Sequence, residues 1–483
     1  MKDPIAAEYA HVDLGDVRLN RRAALIGEAW NAAPDAACPK IARSKAELEG
    51  LYGFVENASV GYEKIVASHG IQTCARIDEI CAGRTMLVLH DTTSFEFTGE
   101  KHRDGMGWLG ASKQGFFAHM ALALAADGSR CPLGVLGLSI TMRPRPEPSQ
   151  GPKKKRGAKE CAADPNREFL RWERLIDETS DLLRGHAIPI HVMDREADAF
   201  ALLAGMFVKG QRFVVRARDI DRDVTSAADG FVEKAKLKGL AERTVAIVAR
   251  DVHLNRRRKS SMNDGNKKHP PRGARTAKLE FAAERVRLHR SKHLDKNIVE
   301  TIEVGVVHVR EIDTPPEMQP VDWLLVTTEP TSTIDEILFV VDTYRARWTI
   351  EEYFKAIKTG CAYENRQFES AHALLIALAL CIPIAWQMLA LRHQARAAPE
   401  APARTVVSKE RLEVLRAIAR DPLPLSPTAR DVFLAIAALG GHIMRSGSPG
   451  WLTLRGGMDK LLFAEEVWTA RGRRSQEKDV ANE

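Results

Sequence analysis

Five side chains in the run Tyr344 to Lys358 have the types and spacing to handle a phosphodiester: Tyr344, Arg347, Glu351, Lys355 and Lys358. On an α-helix, at about 100° per residue, they fall within an arc of roughly 80°. One helix face then offers a carboxylate for a metal ion and cations for a phosphate. Taken alone, the same spacing also describes a solvated face of i, i+4 ion pairs.

Two further carboxylates stand where ligands can reach them. The apolar run Met86-Leu87-Val88-Leu89 reads as a buried strand that ends at Asp91, because Thr92 and Thr93 look like turn formers. A second strand, Ile188 to Met193, ends at Asp194 and leads into Arg195-Glu196-Ala197-Asp198. Either Asp alone could be a helix cap or turn residue. Two of them followed by a helical Glu, in the order Asp91, Asp194, Glu351, form an acidic constellation. Glu196, Asp198 and Glu352 compete for the same roles, although Glu352 sits about 100° round the helix from Glu351 and should face elsewhere.

These strings resemble three separated motifs of bacterial cut-and-paste DDE transposases of the Tn-five type, within the insertion-sequence-four family. The matching residues are Asp91-Thr92-Thr93, Asp194-Arg195-Glu196-Ala197-Asp198, and the Y-x2-R-x3-E-x6-K spacing that continues to Lys358-Thr359-Gly360. The resemblance implies that Asp91 bridges two Mg²⁺ ions while Asp194 and Glu351 each bind one, with Mn²⁺ able to substitute. Two hard cations about 3.5–4 Å apart can stabilise the entering and leaving oxygens of a phosphoryl transfer, so no nucleophilic side chain is needed. It also implies that Trp323, just ahead of Thr327-Thr328-Glu329-Pro330, stacks on a flipped base; by residue type, a strand Trp is more often core. Tyr344, Arg347, Lys355 and Lys358 would contact DNA. So would Arg216 and Arg218, at the end of the alternating strand 212–218.

At 483 residues the chain is too long for one compact core, and it carries 45% apolar and 28% charged residues, as ordinary globular proteins do. Net charge is +7, but residues 251–296 hold 14 Lys or Arg against 5 Asp or Glu, so one segment carries the excess. That segment and the cluster Lys153-Lys154-Lys155-Arg156 are expected to neutralise DNA phosphates. The N-terminus shows no secretory leader pattern, and the seven cysteines lack C-x2-C pairing, which predicts reduced thiols in a cytoplasmic, nucleoid-associated protein. Ala373 to Leu391 is nearly long and apolar enough to cross a bilayer. Pro383, Gln387 and its isolation favour a buried core helix, with no membrane partner.

The expected fold is α/β, an RNase H-like catalytic core with a β-rich insertion between helical terminal domains. Residues 1–70 read as a helical DNA-end-binding domain: Ser44-Lys45-Ala46-Glu47 has the form of a capping box, and Leu14-Gly15-Asp16 and Leu51 to Asn57 resemble family strings. Residues 71–395 would be the core, interrupted at 221–330, and 396–483 a helical domain for dimer contacts, its final residues from Arg471 unstructured. The implied function is transposition of the element's own terminal inverted repeats into target DNA by a homodimer. A metal nuclease without transfer, or a transposon-derived DNA-binding regulator, is the alternative.

Overall fold

A computed structural model describes residues 4–99, 102–146, 160, 167–227, 234–254, 256, 271–443 and 447–481, with side chains as far as 470. Four helices come first: α1 (Val17–Ala32), α2 (Cys38–Ile41), α3 (Lys45–Val55) and α4 (Tyr62–Cys81). Ser44 caps α3 by accepting the Glu47 N–H at 3.1 Å, as its spacing predicts. The Glu47 carboxylate, however, takes the Arg43 N–H at 2.7 Å, one residue earlier than a capping box requires.

Next comes the first half of a large mixed sheet. Strands β1 (Thr85–Phe97), β2 (Gln114–Ala125) and β3 (Pro132–Thr141) form an antiparallel meander. β4 (Ile188–Met193) and β5 (Arg212–Arg216) add in parallel on the other side of β1, giving the order β3-β2-β1-β4-β5. Helices α5 (Leu170–Leu182) and α6 (Phe200–Val208) precede and follow β4. Met86 to Leu89 are wholly buried because β1 is flanked there by β2 and β4 and covered on both faces.

The chain from 221 to 330 prolongs the same sheet. It contributes β6 (Asp223–Ser226), β7 (Lys234–Lys236), a short α7 (Leu237–Arg243), β8 (Val248–Leu254), β9 (Arg275–His289), β10 (Thr301–Ile312) and β11 (Asp322–Thr327). β11 pairs antiparallel with β5, and the order runs on through β10, β9, β6 and β7, with β8 on β9. The basic stretch 251–296 therefore carries strand at 251–254, the end of β8, and at 275–289, which is β9, and several of its cations are paired: Arg275 with Glu311, and Arg285 and Arg287 with Glu303. Its central cluster Arg257-Arg258-Lys259 and Lys267-Lys268, like Lys153 to Arg156, lies outside the described residues.

Helices α8 (Ile334–Ala346) and α9 (Trp348–Lys355) lead to α10 (Ala371–Ala397), then α11 (Lys409–Ile418), α12 (Ala429–Leu439) and α13 (Trp451–Ala481). Among the described residues α10 alone is long and apolar enough to cross a membrane, yet 89% of its apolar window is buried inside the protein. It packs against α1, α3, α4, α12 and β3, which is why it is apolar all round. The hydroxyls of Tyr9, Tyr353 and Tyr363 donate to its Leu380, Ile382 and Leu374 carbonyls. The polar tail expected to be unstructured continues α13 as helical backbone to Ala481, in keeping with its lack of proline and its many good helix formers.

Close approach of α12 and α13 rests on glycine. A Cβ on Gly457 would stand 1.7 Å from the Ile436 carbonyl oxygen, and one on Gly440 would stand 1.8 Å from that of Thr453. Gly457→Val is therefore expected to destabilise the protein by about 1–3 kcal/mol or more, read as a lower melting temperature. Gly53→Ala in α3, where a Cβ meets nothing within 4 Å, serves as the control and should be neutral or slightly stabilising. Equal melting temperatures for the two variants would contradict the close crossing.

Candidate active site

Alternation along β1 sorts its side chains between two faces. Leu87 and Leu89 join the core that contains Tyr344 and Ile350, whereas Met86 and Val88 pack with Leu175 of α5. Asp91 follows the first series and so points to the α8–α9 side. It does not end its strand, contrary to the sequence expectation. β1 continues to Phe97 because β2 pairs with it throughout, from Met86↔Ala125 to Phe97↔Gln114. Asp91 nevertheless reaches the rim of the parallel layer, since pairing with β4 stops at Leu89↔Val192. Asp194 does follow its strand directly, and its Oδ1 accepts the Glu196 N–H at 2.8 Å.

Arg347 joins two of the three acids. Its Nη1 donates to Asp91 Oδ2 at 2.8 Å and its Nη2 to Glu351 Oε1 at 2.7 Å. The guanidinium is 9% exposed, against 16% for the Asp91 side chain and 31% for Glu351. Burial pushes the Asp91 carboxyl up to about 7; Arg347 opposes this, while Asp194 and Glu351 add to it. Asp91 therefore feels the charge of both other acids. Burial disfavours the Arg347 charge, but Asp91, Tyr344 and Glu351 hold its pKa above the ordinary value.

The competing acids have other partners. Asp198 is buried, paired with Arg222, and accepts the backbone N–H groups of Arg218 and Asp219 at 2.6 and 3.0 Å. Glu196 pairs with Arg171. Glu352 faces away, as its helical offset predicts, towards Lys355, Arg392 and the Trp451 indole N–H.

The cationic face is less regular than ideal periodicity makes it. Arg347 marks a short break between α8 and α9, and residues Ala356–Gly360 form a π-helical turn after α9. A π turn carries an extra residue, so Lys358 leaves the position that about 100° per residue assigns it. It donates to the Ser94 carbonyl at 2.5 Å and lies 3.6 Å from Glu364. Lys355 is 57% exposed and bridges to Glu352. Tyr344 is buried edge-on to the Trp323 ring, with centroids 5.5 Å apart, and Arg216 lies 5.7 Å over the same indole. Trp323 is half-buried, and the Arg218 side chain is exposed.

Asp91, Asp194 and Glu351 are hard oxygen donors with a surplus of negative charge, which suits a divalent cation. Among the described residues no three acids, histidines or cysteines stand close enough to hold an ion; Arg347 instead bridges Asp91 and Glu351. Behind Asp91, Thr92 meets Arg171 and His119. In sequence Thr92 reads only as a turn former of the Asp91-Thr92-Thr93 string, and Arg171 and His119 give no signal because no spacing along the chain connects them to it.

Residues 1–60 match the family model of a transposase DNA-binding domain, and residues 172–384 match that of a transposase DDE domain. Asp194 and Glu351 fall inside the second match, and Asp91 precedes it. The class is that of metal-dependent enzymes that cut DNA and transfer strands, and the DDE domain implies an RNase H-like core. The chain is a DNA transposase, with a DNA-binding module ahead of its DDE domain. A cryo-EM structure of a piggyBac transposase synaptic complex with hairpin DNA is similar at 10% identity and a TM-score of 0.33, covering 82% of this chain and 74% of that chain.

Proposed function

We propose that the protein is a transposase of the Tn-five type that excises its own element at terminal inverted repeats and joins it to target DNA with Mg²⁺. The observation that carries this reading is the Arg347 bridge between Asp91 and Glu351, with Asp194 near enough to help raise the Asp91 carboxyl to about 7. Asp91, Asp194 and Glu351 would hold the metal. When bound, Mg²⁺ (or Mn²⁺) stabilises charge on the entering and leaving oxygens of phosphoryl transfer.

The chain's own residues do the positioning. Arg347, once turned from its carboxylates to a phosphate, offers a bidentate fork. Tyr344 and Arg216 flank it, and exposed Lys355 and Arg218 reach backbone further out, with Lys358 on the β1 side. Residues 1–70 would bind the ends, 71–395 with the insertion 221–330 would catalyse, and 396–483 would support a homodimer on DNA, in the cytoplasm and on the nucleoid. The helices of residues 17–55 and the single continuous sheet support that division, while α4 (Tyr62–Cys81) crosses its first boundary and packs on β3.

The test is incubation of the full chain with duplexes carrying the element's terminal repeat, Mg²⁺ and a target plasmid. Nicking, release and joined products are expected in that order; cutting without joined product would leave a nuclease. Trp323 discriminates further. If its half-buried ring stacks on an extruded base, Trp323→Ala should nick normally but form hairpin about 10–100-fold more slowly, the equivalent of about 1–3 kcal/mol of stacking. Loss of both steps together with several degrees of melting temperature would mark it as packing against Tyr344 instead.

A further inference from the structure

We propose that Arg171 is a positioning residue that sets the separation of Asp91 and Asp194 from behind the sheet, an inference that rests on the metal-holding role proposed for those two acids. Arg171 begins α5, on the face of β1 opposite to Arg347, and is 9% exposed. Its guanidinium makes three contacts. Nε donates to Thr92 Oγ1 at 3.3 Å, Nη1 to the Glu168 carbonyl at 2.9 Å, and Nη2 to Glu196 Oε1.

The two side chains it grips belong to the residues that hold the two aspartates. The Thr92 N–H donates to Asp91 Oδ1 at 2.8 Å, and the Glu196 N–H donates to Asp194 Oδ1 at 2.8 Å. One planar cation thus ties together two segments that are 104 residues apart in sequence (Thr92 and Glu196), each of which orients one carboxylate. His119 Nδ1, 3.0 Å from Thr92 Oγ1, adds a second contact behind Asp91. The same grip draws the half-exposed Glu196 carboxylate towards Arg171, where its charge is neutralised and it is held from competing with Asp194 for a cation. Lysine, a point charge without the fork, cannot span both partners.

Outer partners of metal ligands typically change metal affinity by about 10–100-fold when removed. The experiment measures Mn²⁺ binding to the full chain without DNA, by the electron paramagnetic resonance signal of free Mn²⁺, alongside melting temperature. Variants are Arg171→Gln, Arg171→Lys, Thr92→Val, the double variant of Arg171→Gln with Thr92→Val, and Asp194→Asn as reference. Expected are loss of binding in Asp194→Asn, weakening of roughly 10–100-fold in Arg171→Gln with little recovery in Arg171→Lys, and a smaller weakening in Thr92→Val. The double variant should bind no worse than Arg171→Gln, since both remove one linkage. Wild-type Mn²⁺ affinity in Arg171→Gln and Thr92→Val, with Asp194→Asn still defective, overturns the positioning role alone. Undiminished binding in Asp194→Asn overturns the metal reading as well. Should Arg171→Gln fail to fold, Thr92→Val decides, because valine keeps the N–H to Asp91 and suits a strand.

Discussion

Asp91→Asn, Asp194→Asn and Glu351→Gln are each expected to lower Mg²⁺-dependent cleavage by more than the roughly 10–100-fold typical of outer metal partners, while terminal-repeat binding stays near wild type. The substitutions are close to isosteric, so the fold should survive them. They remove one charged oxygen donor each from a pocket in which Asp91 already senses the other two acids. Asp91→Asn also removes a buried acid whose ionisation burial opposes, so its metal-free melting temperature should hold or rise at pH 8. A gel of nicked end DNA and a binding isotherm for the same variants check both halves. Wild-type nicking by any one of the three would remove that residue from the site.

Arg347→Ala should show the next largest effect, in stability and in DNA binding together. Removing one partner of a buried ion pair typically costs about 3–5 kcal/mol, because the remaining charge is left without compensation. Here two carboxylates lose their shared cation. The sign of the pH dependence follows from Asp91. Its folded pKa, about 7, lies above the ordinary value of 3.8, so the folded state holds a proton there that the unfolded chain has released. Stability contributed by that group therefore falls as pH rises from about 4 to 7. At pH 8 Asp91 is charged and needs Arg347; near pH 5 it is protonated and needs it less. The stability deficit of Arg347→Ala, measured by denaturant unfolding without metal, should accordingly be greater at pH 8 than at pH 5. Equal deficits would mean that the bridge to Asp91 contributes little. On DNA, loss of one phosphate contact should reduce the slope of log affinity against log salt by about one.

Much of the site could be read along the chain wherever it depends on near neighbours. Arg347 and Glu351 meet because residues four apart share a helix face, and Glu352 turns away for the same reason. Asp194 follows β4 because an apolar run of strand length stops there. The apolar character of α10 likewise signalled burial, once Pro383 and its lone occurrence were weighed against a membrane span.

Features that depend on distant pairing were not legible in this way. Asp91 sits within β1 because β2 supplies partners for the polar residues that follow it. Strand length is a property of the pair, and no turn signal in Asp91-Thr92-Thr93 outweighs a complementary neighbour. The 221–330 segment shows its short strands in sequence, but its union with the sheet is made by β11 on β5, across more than 100 residues. Lys358 departs from its expected face through a π turn, which ideal helical spacing does not include. The contacts that assemble the centre, Arg347 to Asp91 across 256 residues and Arg171 to Thr92 across 79, leave no periodic trace in the sequence. Local periodicity specifies which side chains share a face; the folded sheet alone sets which faces meet, because burial and strand pairing act between segments that the chain itself keeps far apart.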